Sequence, residues 1–214
     1  DRGLPYKEDL WVPGYFELPI KKGESIIFSA STFVAKPEEF EKTYEDEIAT
    51  RTTRTSFYNC LKNSAKQFYY KKDDEMYIMA GYPWLNVRAR DELMALPGCT
   101  LSIDHKKDFE TIMDTLVSAL QRYINTGEKH RNIKEIDLPD ISLWAIWAIQ
   151  QYKRAYGNEE CLEKYGHVVK YLVEAIREER IYNLYLNDNG LLSTNGQNSP
   201  VTWLCATVNG RPII

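Results

Sequence analysis

Between positions 81 and 98 the chain reads Gly81-Tyr-Pro-Trp-Leu-Asn-Val-Arg-Ala-Arg-Asp-Glu-Leu-Met-Ala-Leu-Pro-Gly98, placing two aromatic rings, two arginines and two carboxylates in one short stretch. These are residue types that can grip a sugar. The C–H face of a pyranose stacks on Trp or Tyr, Arg donates to its hydroxyls, and Asp accepts from them. A plainer role is equally open, in which Arg90 and Asp91 pin a loop to a helix start. A second candidate lies near the C-terminus, where residues 191–212 are rich in amides and hydroxyls and carry Trp203. Asn195, Gln197 and Asn198 offer both donors and acceptors, as a polyhydroxylated ligand requires, and long irregular loops are often functional.

The surrounding periodicity is mostly helical. Asp104 reads as the N-cap of a helix carrying Phe109, Ile112, Met113, Leu116, Leu120 and Ile124 on one side, stopping near Gly127. A helix from Asp140 follows, apolar almost all round through Trp144, Trp147 and Ile149, so other helices are expected to wrap it and Trp147 is expected in the core. Asp140 directly precedes that helix and reads as its N-cap. The next helix, about Glu159 to Glu178, is one-sided through Leu162, Tyr165, Val169, Leu172, Val173 and Ile176. One-sided helices alternating with an all-round apolar one fit a toroid of helical hairpins, and a plain helical bundle also fits.

Toward the N-terminus the pattern changes. Tyr15 to Ile20 and Ser25 to Phe33 are short β-type runs around the polar turn Lys21-Lys-Gly-Glu24, and they predict a hairpin or two edge strands. Two strands alone are not stable in water, so residues 1–36 are expected to end a β-rich domain. Residues 37–72 are expected to form a charged linker helix, and residues 73–214 a helical domain. The chain opens on Asp1 rather than Met, which points to an internal piece of a longer protein.

Composition narrows the partners. A net charge of -4 with no basic stripe argues against a nucleic acid. The apolar runs are too short to span a bilayer. The four cysteines, Cys60, Cys99, Cys161 and Cys205, form no C-x-x-C pair, and they read as free thiols in a reducing compartment, hence a cytoplasmic protein. His105, His130 and His167 have no ligand spacing to one another or to a cysteine, so no metal site is expected.

Three motifs together point further. Gly81-Tyr-Pro-Trp84 with Arg90-Asp91 and Leu96-Pro-Gly98, then Asp137-Leu-Pro-Asp-Ile-Ser-Leu-Trp144, then Gly190-Leu-Leu with Thr202-Trp-Leu-Cys-Ala206, resemble in order the motifs of the glucosidase domain of glycogen debranching enzymes. The resemblance implies a mainly α chain, part of an (α/α)6 toroid with a short N-terminal β segment. It also implies hydrolysis of an α-1,6-linked glucose on an α-glucan, without metal or organic cofactor. Residue by residue, Arg90 and Asp91 match the pair that grips the terminal sugar, and Trp84 and Trp203 would be stacking walls. Core packing is the other reading of each Trp. Asp140 and Gln197 would be further substrate contacts.

Two departures from the family pattern matter. Arg88-Ala89 replaces a Trp-Gly pair before Arg90-Asp91, and Cys205 stands where the resemblance places the general acid. Inverting glycosidases need two carboxyl groups roughly 6.5–9.5 Å apart, and a thiol of pKa near ~8.5 is a weak substitute. Glu92 and Asp188 are conceivable replacements, and the second carboxylate is expected beyond Ile214. A catalytically inactive glycan-binding protein on the same scaffold is the alternative reading.

Overall fold

A computed structural model describes residues 9–82, 84–196, 201–204, 207–209 and 211–212. The chain divides into two compact units, residues 1–51 and 52–214.

In the first unit the polar turn forms as expected. The Glu24 N–H donates to the Lys21 carbonyl at 3.0 Å, the Lys21 N–H donates to the Glu24 carboxylate at 2.9 Å, and Gly23 supplies φ +94°. The rings of Phe16 and Phe28 meet across it at 5.8 Å. No strand ladder forms among the described residues 9–36, almost all of which are exposed. The expected strands therefore do not pair, since two strands without a covering face do not hold a ladder. A helix, α1 (Phe40–Ala49), follows.

The expected single linker helix is broken. It stops at Ala49, and a separate helix, α2 (Phe57–Lys66), starts in the second unit with Ser56 as N-cap accepting the Asn59 N–H. The intervening Thr- and Ser-rich stretch favours caps and turns over helix interior. Asn63 fixes its start, accepting the Thr52 N–H at 3.0 Å and donating to the Thr52 carbonyl at 2.7 Å. An unexpected hairpin comes next, β1 (Tyr69–Lys72) paired antiparallel with β2 (Glu75–Ile78). Its two-residue turn, Asp73-Asp74, has positive φ at both positions, as hairpin turns of this length require.

The remaining elements carry the site. Strand β3 (Val87–Arg88) runs directly into α3 (Ala89–Cys99), and α4 (Lys106–Thr126) follows. Strand β4 (Ile133–Lys134) leads to α5 (Ile141–Tyr156), and α6 (Asn158–Arg177) packs on α5. The parallel pairing Val87↔Ile133 and Arg88↔Lys134 sets the starts of α3 and α5 side by side, and the two helices pack together. Two small antiparallel hairpins occupy the C-terminal stretch: β5 (Tyr185–Leu186) with β6 (Leu192–Ser193), and β7 (Thr207–Val208) with β8 (Arg211–Pro212). The described chain is mainly helical with small two-stranded sheets, and one apolar cluster from Met76 to Leu172 joins β2 with α3 to α6.

Three details depart from expectation. Asp104 does not cap α4: it sits at φ +62° closing a 3-10 turn over Leu101–Ile103, a conformation Asp tolerates, and His105 takes the cap position. On α6 the buried face runs through Cys161, Tyr165, Val168, Leu172, Ala175 and Ile176, leaving Leu162 and Val173 exposed. On α5 the wrapping is incomplete, because Leu143 and Trp147 are more than a third exposed. Trp147 is therefore not a core residue. It stands edge-on to Trp144 at 5.4 Å and lines an apolar cleft of about 610 Å³ between α5 and α6.

Candidate functional site

The first motif folds into a tight loop and a helix start. The Leu85 N–H donates to the Gly81 carbonyl at 3.0 Å, and the Ala80 N–H donates to the Asn86 carbonyl at 2.8 Å, with Asn86 at φ +50°. Gly81 leaves little room here: a Cβ on it would lie 3.1 Å from Leu85 Cδ1. The loop presents Tyr82 and Trp84 outward, and Trp84 at 76 % exposure is not a packing residue.

Arg90 and Asp91 do not pair with each other, and they leave the helix in different directions. Arg90 is buried, and its Nε and Nη2 donate to Asp140 Oδ2 and Oδ1 at 2.8 and 2.9 Å. The Asp140 carboxylate also accepts the Trp144 indole N–H at 3.1 Å. Asp140 therefore occupies the cap position of α5 without a capping hydrogen bond from its side chain. Asp91 is about half exposed, with Arg88 Nε at 3.8 Å from its carboxylate. Arg88 turns mainly to Glu135, whose carboxylate accepts its Nε at 3.2 Å and its Nη2 more closely. Glu135 adopts φ +60°, an uncommon conformation for a residue with a side chain.

The structure thus brings together two of the three motifs through the Arg90–Asp140 contact, with Arg88–Glu135 as a second arginine–carboxylate contact beside it. Glu135 carried no signal in the sequence, since neither spacing nor periodicity marks a partner 47 positions from Arg88. Lys129 pairs with Asp137 of the second motif at 2.6 Å.

Glu92 faces inward. Its side chain is fully buried, Oε1 accepts the Ile78 N–H of β2 at 2.7 Å, and Oε2 has no partner among the described residues. Burial drives its carboxyl well above the ordinary range, and the Ile78 N–H only partly opposes that. A group so enclosed is poorly placed to meet a polymer end. Asp188 is exposed in the turn between β5 and β6, where Gly190 donates to the Asn187 carbonyl at 2.8 Å.

The third motif is described only in part. Trp203 is 59 % exposed beside the buried Val201, and the Leu204 N–H donates to Thr202 Oγ1 at 3.2 Å. The Asn183 side chain latches the start of the loop, accepting the Asn195 N–H at 2.8 Å and donating to the Asn195 carbonyl at 2.9 Å. Gln197, Asn198 and Cys205 lie outside the described residues. Among the described residues no group of three His, Cys, Asp or Glu side chains could hold a metal ion, and no helix is long and apolar enough to cross a membrane. None of Arg90, Asp91 and Asp140 lines the cleft between α5 and α6.

In this mainly helical domain the first two motifs meet at the adjacent starts of α3 and α5. Residues 52–214 match the family model described as amylo-alpha-1,6-glucosidase, and the chain belongs to that glycoside hydrolase family. The match begins where the second compact unit begins. No curated protein and no solved structure matches the chain.

Proposed function

We propose that this chain carries the glucose-recognising part of an α-1,6-glucosidase acting on branch residues of an α-glucan. On this reading residues 52–214 form the first part of an (α/α)6 toroid, with α3 and α5 as neighbouring inner helices starting at the same end. Arg90 and Asp91 hold hydroxyls of the terminal glucose, Trp84 and Trp203 flank it, and Gln197 contributes an amide. The observation that carries the reading is the Arg90–Asp140 contact, which joins the two family motifs at the paired starts of α3 and α5. The exposure of both tryptophans supports it, since neither is consumed by the core. The described cysteines Cys60, Cys99 and Cys161 are free thiols, in keeping with a reducing, cytoplasmic setting.

A second reading, a glycan-binding protein without hydrolysis, is favoured by one residue. Cys205 stands at the acid position of the family motif, and the buried Glu92 is not a substitute for it. A branched limit dextrin given to the full-length protein separates the two readings. Glucose release supports the hydrolase, whereas binding without release supports the glycan-binding protein. Cys205→Asp should then raise glucose release from a low or absent level. Absence of both binding and release would overturn both readings.

A further inference from the structure

Asp140 stands where a helix cap is expected and where the family resemblance offers a sugar contact, and its carboxylate is committed to other partners. Oδ1 accepts Arg90 Nη2, while Oδ2 accepts both Arg90 Nε and the Trp144 indole N–H. A carboxylate has about four acceptor sites, and these contacts fill three of them. The side chains of Arg90 and Asp140 are only 7 % and 12 % exposed. Asp140 thus has little capacity left for a ligand.

The same contacts decide how Arg90 can act. A guanidinium is a rigid plane, and the fork to Asp140 uses its Nε–Nη2 edge. The donors left for a ligand lie on the opposite side, at Nη1 and the second Nη2 hydrogen. We infer that Asp140 is a positioning residue: it holds Arg90 so that the Nη1 side faces the sugar hydroxyls, and Trp144 holds Asp140 in turn. This role rests on the sugar-binding reading proposed above. It deepens that reading by assigning Asp140 to the arginine rather than to the glucose.

A double-mutant cycle tests the role. The affinity of the chain for a limit dextrin and for isomaltose is measured in wild type, Arg90→Gln, Asp140→Asn and the double variant. Each single change should weaken binding about tenfold or more, the loss expected when one charge-assisted hydrogen bond goes. The double variant should bind no worse than Arg90→Gln alone. The Arg90 Nε–H resonance should exchange slowly with solvent in wild type and be lost in Asp140→Asn. Should the single variants fail to fold, Trp144→Phe keeps the ion pair and carries the test, with weakened binding and a shifted Arg90 resonance expected. A further large loss on adding Asp140→Asn to Arg90→Gln would show that Asp140 touches the sugar itself and overturn the positioning role alone. Unchanged affinity in Asp140→Asn, or in Trp144→Phe where that variant carries the test, would do the same. Failure of wild type to bind either saccharide, with the Arg90 resonance still protected, would overturn the sugar reading and the role together.

Discussion

Replacing Glu92 by Gln should change how stability responds to pH more than it changes stability itself. Glu92 is fully buried on α3, bonded through one oxygen to the Ile78 N–H and through the other to nothing described. Burial raises its folded-state pKa well above the ordinary carboxylate range, so the folded chain binds a proton that the unfolded chain releases. The stabilising contribution is therefore complete below the unfolded pKa and is lost as pH rises toward the folded one. Within that window the slope reaches about 1.4 kcal/mol per pH unit. Glu92→Gln keeps the acceptor for Ile78 but buries an amide N–H₂ where one O–H sat, costing about 1–3 kcal/mol at pH 5. Urea unfolding of both proteins from pH 5 to 8 should show that deficit shrinking as pH rises. Groups that titrate alike in the two proteins cancel in the difference. Parallel stability curves would refute the argument, because they would mean that Glu92 is ionised in the folded protein or is not buried.

Two further changes probe the core and the hinge of the helical unit. Phe109 is fully buried with its ring 5.2 Å from Tyr152 and 6.4 Å from Tyr165, and Phe109→Ala should cost about 3–5 kcal/mol in denaturant unfolding. A loss below about 1 kcal/mol would contradict the placement of α4 against α5 and α6. Gly157 joins α5 to α6 at φ 94° and ψ 173°, a region essentially closed to other residues, so Gly157→Ala should cost about 1–3 kcal/mol. An unchanged thermal midpoint would show that the α5–α6 turn adopts another conformation.

What was legible in the sequence depended on range. The helices α4, α5 and α6 follow from local periodicity, and the end of α4 follows from Gly127, which takes a positive φ there. The family motifs were legible because they are contiguous residues. The β1–β2 hairpin was within reach, since Asp73-Asp74 between aromatic and β-type residues is a turn signal, yet the charged stretch before it read as helix. The buried face of α6 was read a little off because Leu162 and Val173 extend its apolar surface beyond what its neighbours cover. Trp147 was assigned to the core on hydrophobicity, which fixes how apolar a helix is but not how many partners it has. The partner of Arg90 was beyond reach altogether. Arg90 and Asp91 are adjacent in sequence but their side chains take different partners, and Asp140, 50 positions away, is delivered by the β3–β4 pairing.

That pairing also bears on why the Arg90–Asp140 contact exists. Ala89, Leu93 and Leu96 of α3 and Ile141, Ala145 and Ala148 of α5 belong to one buried cluster, so apolar packing already holds the two helices together. Each buried ion costs several kcal/mol of desolvation, and a well-packed apolar pair in its place is often neutral or more stable. Arg88–Glu135, about one-third exposed on each side, contributes at most about 1 kcal/mol. Stability alone therefore gives weak grounds for two arginine–carboxylate contacts at one helix junction. Orientation gives better ones. The apolar cluster fixes how far α3 lies from α5 but not the torsion of a side chain that leaves the helix, and a bidentate fork fixes that torsion. Asp91, with a single ion contact at 3.8 Å, keeps acceptor sites free on the same helix turn. The junction thus combines one rigidly aimed donor with one accessible acceptor, as the sugar recognition proposed above would require.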